Sequence, residues 1–243
     1  MRQLFPAVIL AGGLATRLRP VTETIPKALI DINGEPFISH QLRLLREKGM
    51  RDVILCVGYL GEMLREFVGD GDRFGMCVEY SFDGDKLLGT AGAIKKALPL
   101  LSNDFFVLYG DSYLTCDYAA IQEAFLQQNK LALMTVFNNQ GQWDSSNVEF
   151  SDGVIHIYDK KARTEQMHHI DYGLGVFNKK MFDQVPVNSD YDLALLYQQA
   201  LRQTQLAAYE VKERFYEIGS FAGIDALKEY LKNNLNRSCY AIC

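Results

Sequence analysis

Phe5-Pro6-Ala7-Val8-Ile9-Leu10-Ala11-Gly12-Gly13 is a short apolar run that ends in a glycine turn. A run of this length, closed by glycines, reads as a buried strand rather than a helix. The pattern then repeats. A long polar loop passes through Arg17, Arg19, Pro20 and Pro26, and Ala28 to Ile32 reads as a short strand closed by Asn33-Gly34. Phe37 to Lys48 carries Ile38, Leu42 and Leu45 at helical spacing and stops at Gly49. Strands follow at Val53 to Val57, Cys77 to Ser81, Phe105 to Tyr109 and Leu131 to Phe137. Between them lie helices at Gly61 to Val68, Ala91 to Leu98 (halted by Pro99) and Tyr118 to Gln128. Regular alternation of strand and helix predicts a three-layer α/β/α fold around a mainly parallel, Rossmann-like sheet. Ligands of such sheets bind outside the carboxyl ends of the strands. Gly12-Gly13 and Gly110-Asp111 both stand at such ends, so two distant segments point at one crevice.

The second half changes character. Val148 to Phe150, Val154 to Tyr158 and Ile170 to Phe177 read as strands, and Leu193 to Gln203 and Ile224 to Leu235 as helices. With no linker, repeat or low-complexity tract, the expectation is one domain in two halves. Residues 1–138 form a nucleotide-binding half and residues 139–243 a second-substrate half.

The chain has 243 residues, enough to bury a sizeable core without disulfides or structural metal. Its net charge of −5 argues against bulk nucleic-acid binding but not against a local phosphate pocket. Five cysteines, at 56, 77, 116, 239 and 243, lack metal-type spacing. They read as reduced thiols of a cytoplasmic protein, with Cys56 and Cys77 as buried small hydrophobes. Nothing approaches the roughly 18 apolar residues of a membrane span, so no membrane partner is expected.

The chemistry concentrates in Leu10-Ala11-Gly12-Gly13-Leu14-Ala15-Thr16-Arg17-Leu18-Arg19-Pro20, followed by Pro26-Lys27. Glycine N–H groups can cradle phosphate oxygens, and Arg17 and Lys27 bring two cations to the same loop, stiffened by Pro20 and Pro26. Phosphoryl-type transfer needs just this, positioning and charge neutralisation. No GKS or GKT follows, and GxGxxG is absent, so neither a P-loop nor a dinucleotide fingerprint is present.

This run resembles the pattern LAGG-x-GTR-x-x-P-x-T, then PK, of the sugar-1-phosphate nucleotidyltransferases, with Ala15 in place of the usual glycine. The resemblance continues along almost the whole chain. Leu88-Gly89-Thr90-Ala91-Gly92-Ala93-Ile94 is similar to the segment that packs against base and ribose, a glycine turn opening a helix whose N–H groups would face a ligand. Val107-Leu108-Tyr109-Gly110-Asp111 resembles the strand-Gly-Asp element whose aspartate binds Mg²⁺, a hard cation suited to one or two carboxylates. Asp159-Lys160-Lys161-Ala162 aligns with an "EKP" segment, which places Lys161 on the sugar phosphate and Lys160 where Glu is usual. Asp171-Tyr172-Gly173 falls on "NAG", and Tyr216-Glu217-Ile218-Gly219-Ser220 on "DIGT", whose carboxylate is a second metal ligand.

The resemblance implies a GT-A-like nucleotidyltransferase fold. It also implies transfer of a nucleotidyl group from an NTP to a sugar 1-phosphate, giving an NDP-sugar and pyrophosphate for cell-envelope or capsular glycan precursors. Arg17 and Lys27 would be catalytic. Leu10, Ala11, Gly12, Gly13, Gly89 and Thr90 would bind nucleotide. Lys161, Asp171, Tyr172 and Gly173 would bind the sugar phosphate, and Asp111 and Glu217 would hold Mg²⁺. A choline-phosphate cytidylyltransferase shares the glycine loop and Pro26-Lys27-Ala28-Leu29. An NDP-sugar-using glycosyltransferase would want a DxD motif, which Asp111-Ser112-Tyr113 does not supply. An inactive nucleotide-sensing subunit is the third alternative, and the retained cations and carboxylates speak against it. The base, the sugar and the choice between monomer and homodimer stay open. Trp143 and Tyr113 are candidates for pocket walls or core, and His168-His169 could lie near the sugar.

Overall fold

The computed structural model describes the backbone of residues 3–240 and side chains up to residue 234. The side chain of Cys239 and all of Cys243 therefore lie outside the described residues. In chain order the elements are β1 (Ala7–Leu10), β2 (Asp31–Ile32), β3 (Glu35–Pro36), α1 (Phe37–Glu47), β4 (Asp52–Val57), α2 (Gly61–Val68), β5 (Cys77–Phe82) and α3 (Gly89–Ala97). Next come β6 (Asp104–Tyr109), β7 (Ser112–Tyr113), α4 (Tyr118–Gln128), β8 (Ala132–Asn138), β9 (Val148–Ser151), β10 (Val154–Tyr158) and β11 (His169–Asn178). The chain ends with α5 (Leu193–Arg202), β12 (Leu206–Val211), β13 (Tyr216–Glu217) and α6 (Phe221–Tyr240).

One nine-stranded sheet runs through both halves. β5, β4, β1 and β6 are parallel neighbours, with Leu10 opposite Cys56 on one side and Tyr109 on the other. β11 then joins antiparallel to β6, with Leu174 opposite Leu108. β8 pairs antiparallel with β11, and β12 lies parallel to β8. This arrangement puts the carboxyl ends of β1, β4, β6, β8 and β12, and the amino end of β11, along one edge.

Helices cover both faces. On one, Ile38, Leu42 and Leu45 of α1 pack with Leu64 and Val68 of α2 and Ile121 and Phe125 of α4. On the other, Ala91, Ile94 and Ala97 of α3 meet Leu193, Leu196 and Tyr197 of α5. The i, i+4, i+7 spacing in α1 aligns its three residues on one stripe. Truncating fully buried Leu42 to alanine would cost about 2–5 kcal/mol. Two helices start on aspartate caps. Asp117 accepts from the N–H groups of Ala119 and Ala120 at 3.0 Å each, and Asp192 from Ala194 at 2.9 Å. Under α6, Leu18, Ile32, Phe37, Tyr113, Ile218 and Leu227 form a third cluster that anchors the glycine loop's far end. No helix among the described residues is long and apolar enough to cross a membrane.

Three expectations are corrected. Ala28 to Ile32 is not one strand. Lys27–Leu29 forms a 3₁₀ turn, and only Asp31–Ile32 pairs with Glu35–Pro36, across a turn with Asn33 and Gly34 at φ 56° and 91°. Cys77 is exposed, because it opens the edge strand β5 on its outward side, whereas Cys56 and Cys116 are buried. Strand β12 has no counterpart in the sequence reading, since Leu206-Ala207-Ala208-Tyr209-Glu210-Val211 is half-buried and its paired alanines blur the alternation.

Candidate active site

The carboxyl ends of β1 and β6 enclose a cavity of about 230 Å³. Close backbone approach explains two of its glycines. Gly110 donates its N–H to Leu10 O at 3.0 Å, and a Cβ on Gly110 would strike that same carbonyl. A Cβ on Gly12 would lie 3.0 Å from Gly58 N at the end of β4. Gly13 has open space around it, where a ligand can lie. Ala15, the departure from the family's glycine, adopts φ 48° and ψ 44°. That left-handed geometry costs a residue with a Cβ about 1–2 kcal/mol. The buried Thr22 hydroxyl, 2.9 Å from Ala15 O, holds the turn.

The cavity has two chemically different ends. At one, Lys27 Nζ pairs with Asp111 Oδ2 at 2.9 Å, both side chains largely shielded. A Cβ on Gly219 would lie 3.3 Å from Arg17 Nη2, 3.4 Å from Asp111 Oδ2 and 2.6 Å from Glu217 Oε2. Arg17, Asp111 and Glu217 therefore converge on one point that only a glycine leaves free. The register carries this: Glu217 pairs with Ser112 across β13 and β7, and Ile218 donates to Asp111 O at 2.9 Å. Glu217 is also fixed locally, accepting from Gly219 N–H and from Ser220 Oγ, the latter at 2.7 Å. Among the described residues no cluster of three or more His, Cys, Asp or Glu side chains forms. Two converging carboxylates do fit Mg²⁺, which takes one or two from the protein and fills the remaining positions with phosphate oxygens and water.

The other end is apolar, formed by Cys56, Leu87 and Ala93, and it contains one acid, Asp83. Asp83 is 8 % exposed and accepts from Leu88 N–H at 3.2 Å. Burial pushes its carboxyl above the ordinary 3.8. The sequence reading missed it. Its signal was an acid six residues after the start of an apolar strand and six before the glycine turn at Gly89.

Gly89 and Thr90 line the cavity, but the α3 N-terminus is not free as expected. The N–H groups of Ala91 and Gly92 donate to Tyr191 O at 2.8 and 3.2 Å. The Thr90 hydroxyl is engaged by Asp192 and Leu193 N–H. The second half thus clamps this turn, and only its first N–H groups remain for a ligand.

On the acceptor side, Lys160 rather than Lys161 reaches the cavity wall. Its Nζ lies 3.3 Å from the Tyr109 hydroxyl and 5.3 Å from the centre of that ring. Lys161 is exposed and contributes its backbone N–H to Asp159 Oδ1, 2.7 Å away. Asp171 accepts from Tyr158 OH at 3.2 Å and Gly173 N–H at 3.1 Å, and Tyr109 also donates to it. Tyr172 is corrected. It is 2 % exposed, points the opposite way along β11, and packs on Phe137 and Phe215. Gly173 sits at φ 93°, where a Cβ would crowd Ser112 Oγ and Tyr109. Leu10 and Ala11 lie in the cavity wall as expected.

A family profile described as "Nucleotidyl transferase" matches residues 6–232. The chain therefore belongs to the nucleotidyl transferase family. It is 29% identical over 214 residues to the D-glycero-α-D-manno-heptose 1-phosphate guanylyltransferase of Campylobacter jejuni, covering 88% of this chain and 94% of that protein. It is 30% identical over 219 residues to the N-acetylmuramate α-1-phosphate uridylyltransferase of Neisseria meningitidis, covering 88% and 93%. HddC from Yersinia pseudotuberculosis, solved in complex with GMP-PN, superposes with a TM-score of 0.77 at 26% identity, over 94% of this chain and 100% of that one.

Proposed function

We propose that the protein transfers a nucleotidyl group from a nucleoside triphosphate to a sugar 1-phosphate, releasing pyrophosphate and an NDP-sugar of the kind consumed in cell-envelope or capsular glycan assembly. The observation that carries this reading is the convergence of Arg17, Lys27, Asp111 and Glu217 at one end of a cavity whose other end is apolar. A triphosphate suits the charged end and a flat base the apolar one. The relatives named as sugar-1-phosphate guanylyl- and uridylyltransferases over nearly their whole length support it.

The acceptor phosphate is already ionised near neutral pH, so no general base is required. Its oxygen forms a bond to the α-phosphorus while the bond from that phosphorus to the bridging oxygen of pyrophosphate breaks. Arg17 stabilises charge building on the leaving pyrophosphate. Lys27, drawn from Asp111 toward phosphate, neutralises the triphosphate. Lys160, steadied by Tyr109, takes the place given above to Lys161 and orients the acceptor phosphate for in-line attack. Asp111 and Glu217 would hold Mg²⁺, which when bound neutralises phosphate oxygens and relieves the repulsion between the two acids.

Asp83 bears on the base. An ionised carboxylate only accepts hydrogen bonds. Guanine offers adjacent N1–H and N2–H donors, whereas uracil offers one N–H between two carbonyls, so the proposal favours GTP. Pyrophosphate release, measured across GTP, UTP, CTP and dTTP with a panel of sugar 1-phosphates, tests the whole reading. Release with no pair would overturn it.

A further inference from the structure

Arg214 stands in the link from β12 to β13, three residues ahead of Glu217. Its guanidinium lies 3.4 Å from the centre of the Trp143 ring and 4.7 Å from that of Tyr216. Tyr216 rests in turn on Tyr230, with centroids 4.2 Å apart. Aromatic rings, not acids, therefore hold this cation. Its Nε is buried with no partner, and no carboxylate or carbonyl oxygen among the described residues accepts from its other nitrogens. Stacking contributes about 0.5–2 kcal/mol but satisfies none of the in-plane donors. A guanidinium fixed by stacking, with its fork unfilled, is pre-organised for a carboxylate or phosphate.

Its surroundings match that use. Trp143 is 47% exposed and walls an open cleft of about 560 Å³ that also presents Arg163 and His168. The one acid there, Asp144, accepts from Ser145 N–H at 2.6 Å. The Trp143 loop follows β8, Arg214 follows β12, and Arg163 and His168 precede β11, so all reach the ligand edge of the sheet. Three extended residues from Arg214 to Glu217 span roughly 10 Å. That is the reach of a sugar with a phosphate at one end and a second substituent at the other. Lys160 is not the surplus cation on this side, because its Nζ is engaged by the Tyr109 hydroxyl at 3.3 Å and is assigned above to the attacking phosphate.

We propose that Arg214, backed by Trp143, binds a second anionic group on the acceptor sugar, remote from the phosphate that attacks. This rests on the acceptor being a sugar 1-phosphate.

Trp143 is the only tryptophan in the chain, so its fluorescence reports directly on the site. The full chain is titrated with glucose 1-phosphate, glucose 1,6-bisphosphate and glucuronate 1-phosphate, without NTP. A doubly anionic probe should bind about 10–100-fold tighter than glucose 1-phosphate, as hydrogen bonds to a charged group allow, and should perturb the emission. Which of the two binds tighter identifies the anion as phosphate or carboxylate. Arg214→Met should bring the doubly anionic probes down to the glucose 1-phosphate level. Arg214→Lys, which keeps charge without the fork, should recover part of the difference. Equal wild-type affinity for all three probes would overturn the proposal, as would a loss in Arg214→Met of the same size for each. Binding discrimination without pyrophosphate release would leave this site standing and remove the reaction proposed above. Turnover of neutral sugar phosphates without discrimination would do the reverse.

Discussion

Gly219→Ala tests whether the charged end of the cavity is the reaction centre. Gly219 has no positive φ, so alanine is acceptable to the backbone. The added methyl carbon would lie 2.6 Å from Glu217 Oε2, against an ordinary contact of 3.4 Å or more. The carboxylate or the chain must therefore yield by about 0.8 Å in a close-packed site. Glu217 has little room to retreat, since Ser220 Oγ holds it at 2.7 Å and Gly223 abuts its other oxygen. Arg17 Nη2 and Asp111 Oδ2, at 3.3 and 3.4 Å, would be pressed as well. Displacements near 1 Å at reacting groups cost roughly 10²-fold in rate. Overpacking of this kind costs about 1–3 kcal/mol, a fall of about 2–12 °C in thermal midpoint for a chain of this size. Pyrophosphate release at saturating substrates should thus drop about 10²-fold in a protein that still melts cooperatively. A kcat within twofold of wild type, with unchanged Mg²⁺ dependence, would refute the convergence of these groups on the reacting phosphates.

Arg17→Ala should lower kcat by about 10²–10³ while weakening NTP binding less, measured by steady-state kinetics and equilibrium titration, because its contribution grows with transition-state charge. Glu217→Gln should raise the Mg²⁺ concentration giving half-maximal rate. It should also lower the thermal midpoint by a few degrees, since an amide cannot accept from both Gly219 N–H and Ser220 at full strength. Asp83→Asn, which adds a donor at the base end, should reduce the GTP-to-UTP ratio of kcat/KM at least about tenfold by leaving guanine's donors opposed. Burial holds the Asp171 carboxyl above its ordinary 3.8. The folded chain therefore keeps that proton where the unfolded chain has lost it, and stability falls as pH rises through this window. Asp171→Asn removes the titration, so its midpoint relative to wild type should improve as pH rises above the ordinary 3.8, and a difference flat with pH would count against the raised carboxyl.

The alternation of strands and helices in the first half was legible because most apolar runs are closed by glycine, proline, asparagine or aspartate. Gly61–Val68 and Tyr118–Gln128 match to the residue. The charged end of the site was legible for a related reason: Gly12, Gly13, Arg17, Lys27 and Asp111 lie in two short motifs, each at a strand end. Long-range pairing was not. Nothing local says that Tyr191 O takes the α3 N–H groups, or that β12 lies beside β8. Tyr172 could have been placed correctly by strand alternation alone. Asp171 and Gly173 face one side of β11, so the residue between them faces the core.

The acceptor side shows most clearly what a linear reading separates and a fold joins. Lys160, ahead of β11, and Asp171, within it, look unrelated along the chain. In space they meet at one tyrosine: Lys160 Nζ lies 3.3 Å from the Tyr109 hydroxyl, and Tyr109 donates to the buried Asp171. A buried carboxylate without a nearby cation is costly, and burial dominates the state of Asp171, with Lys160 the largest opposing influence. Both contacts hold Tyr109 at the cavity wall. Coupling through Tyr109 supports the role proposed for Lys160 in orienting the acceptor phosphate, and it leaves Arg214 as the cation without an acid partner on that side.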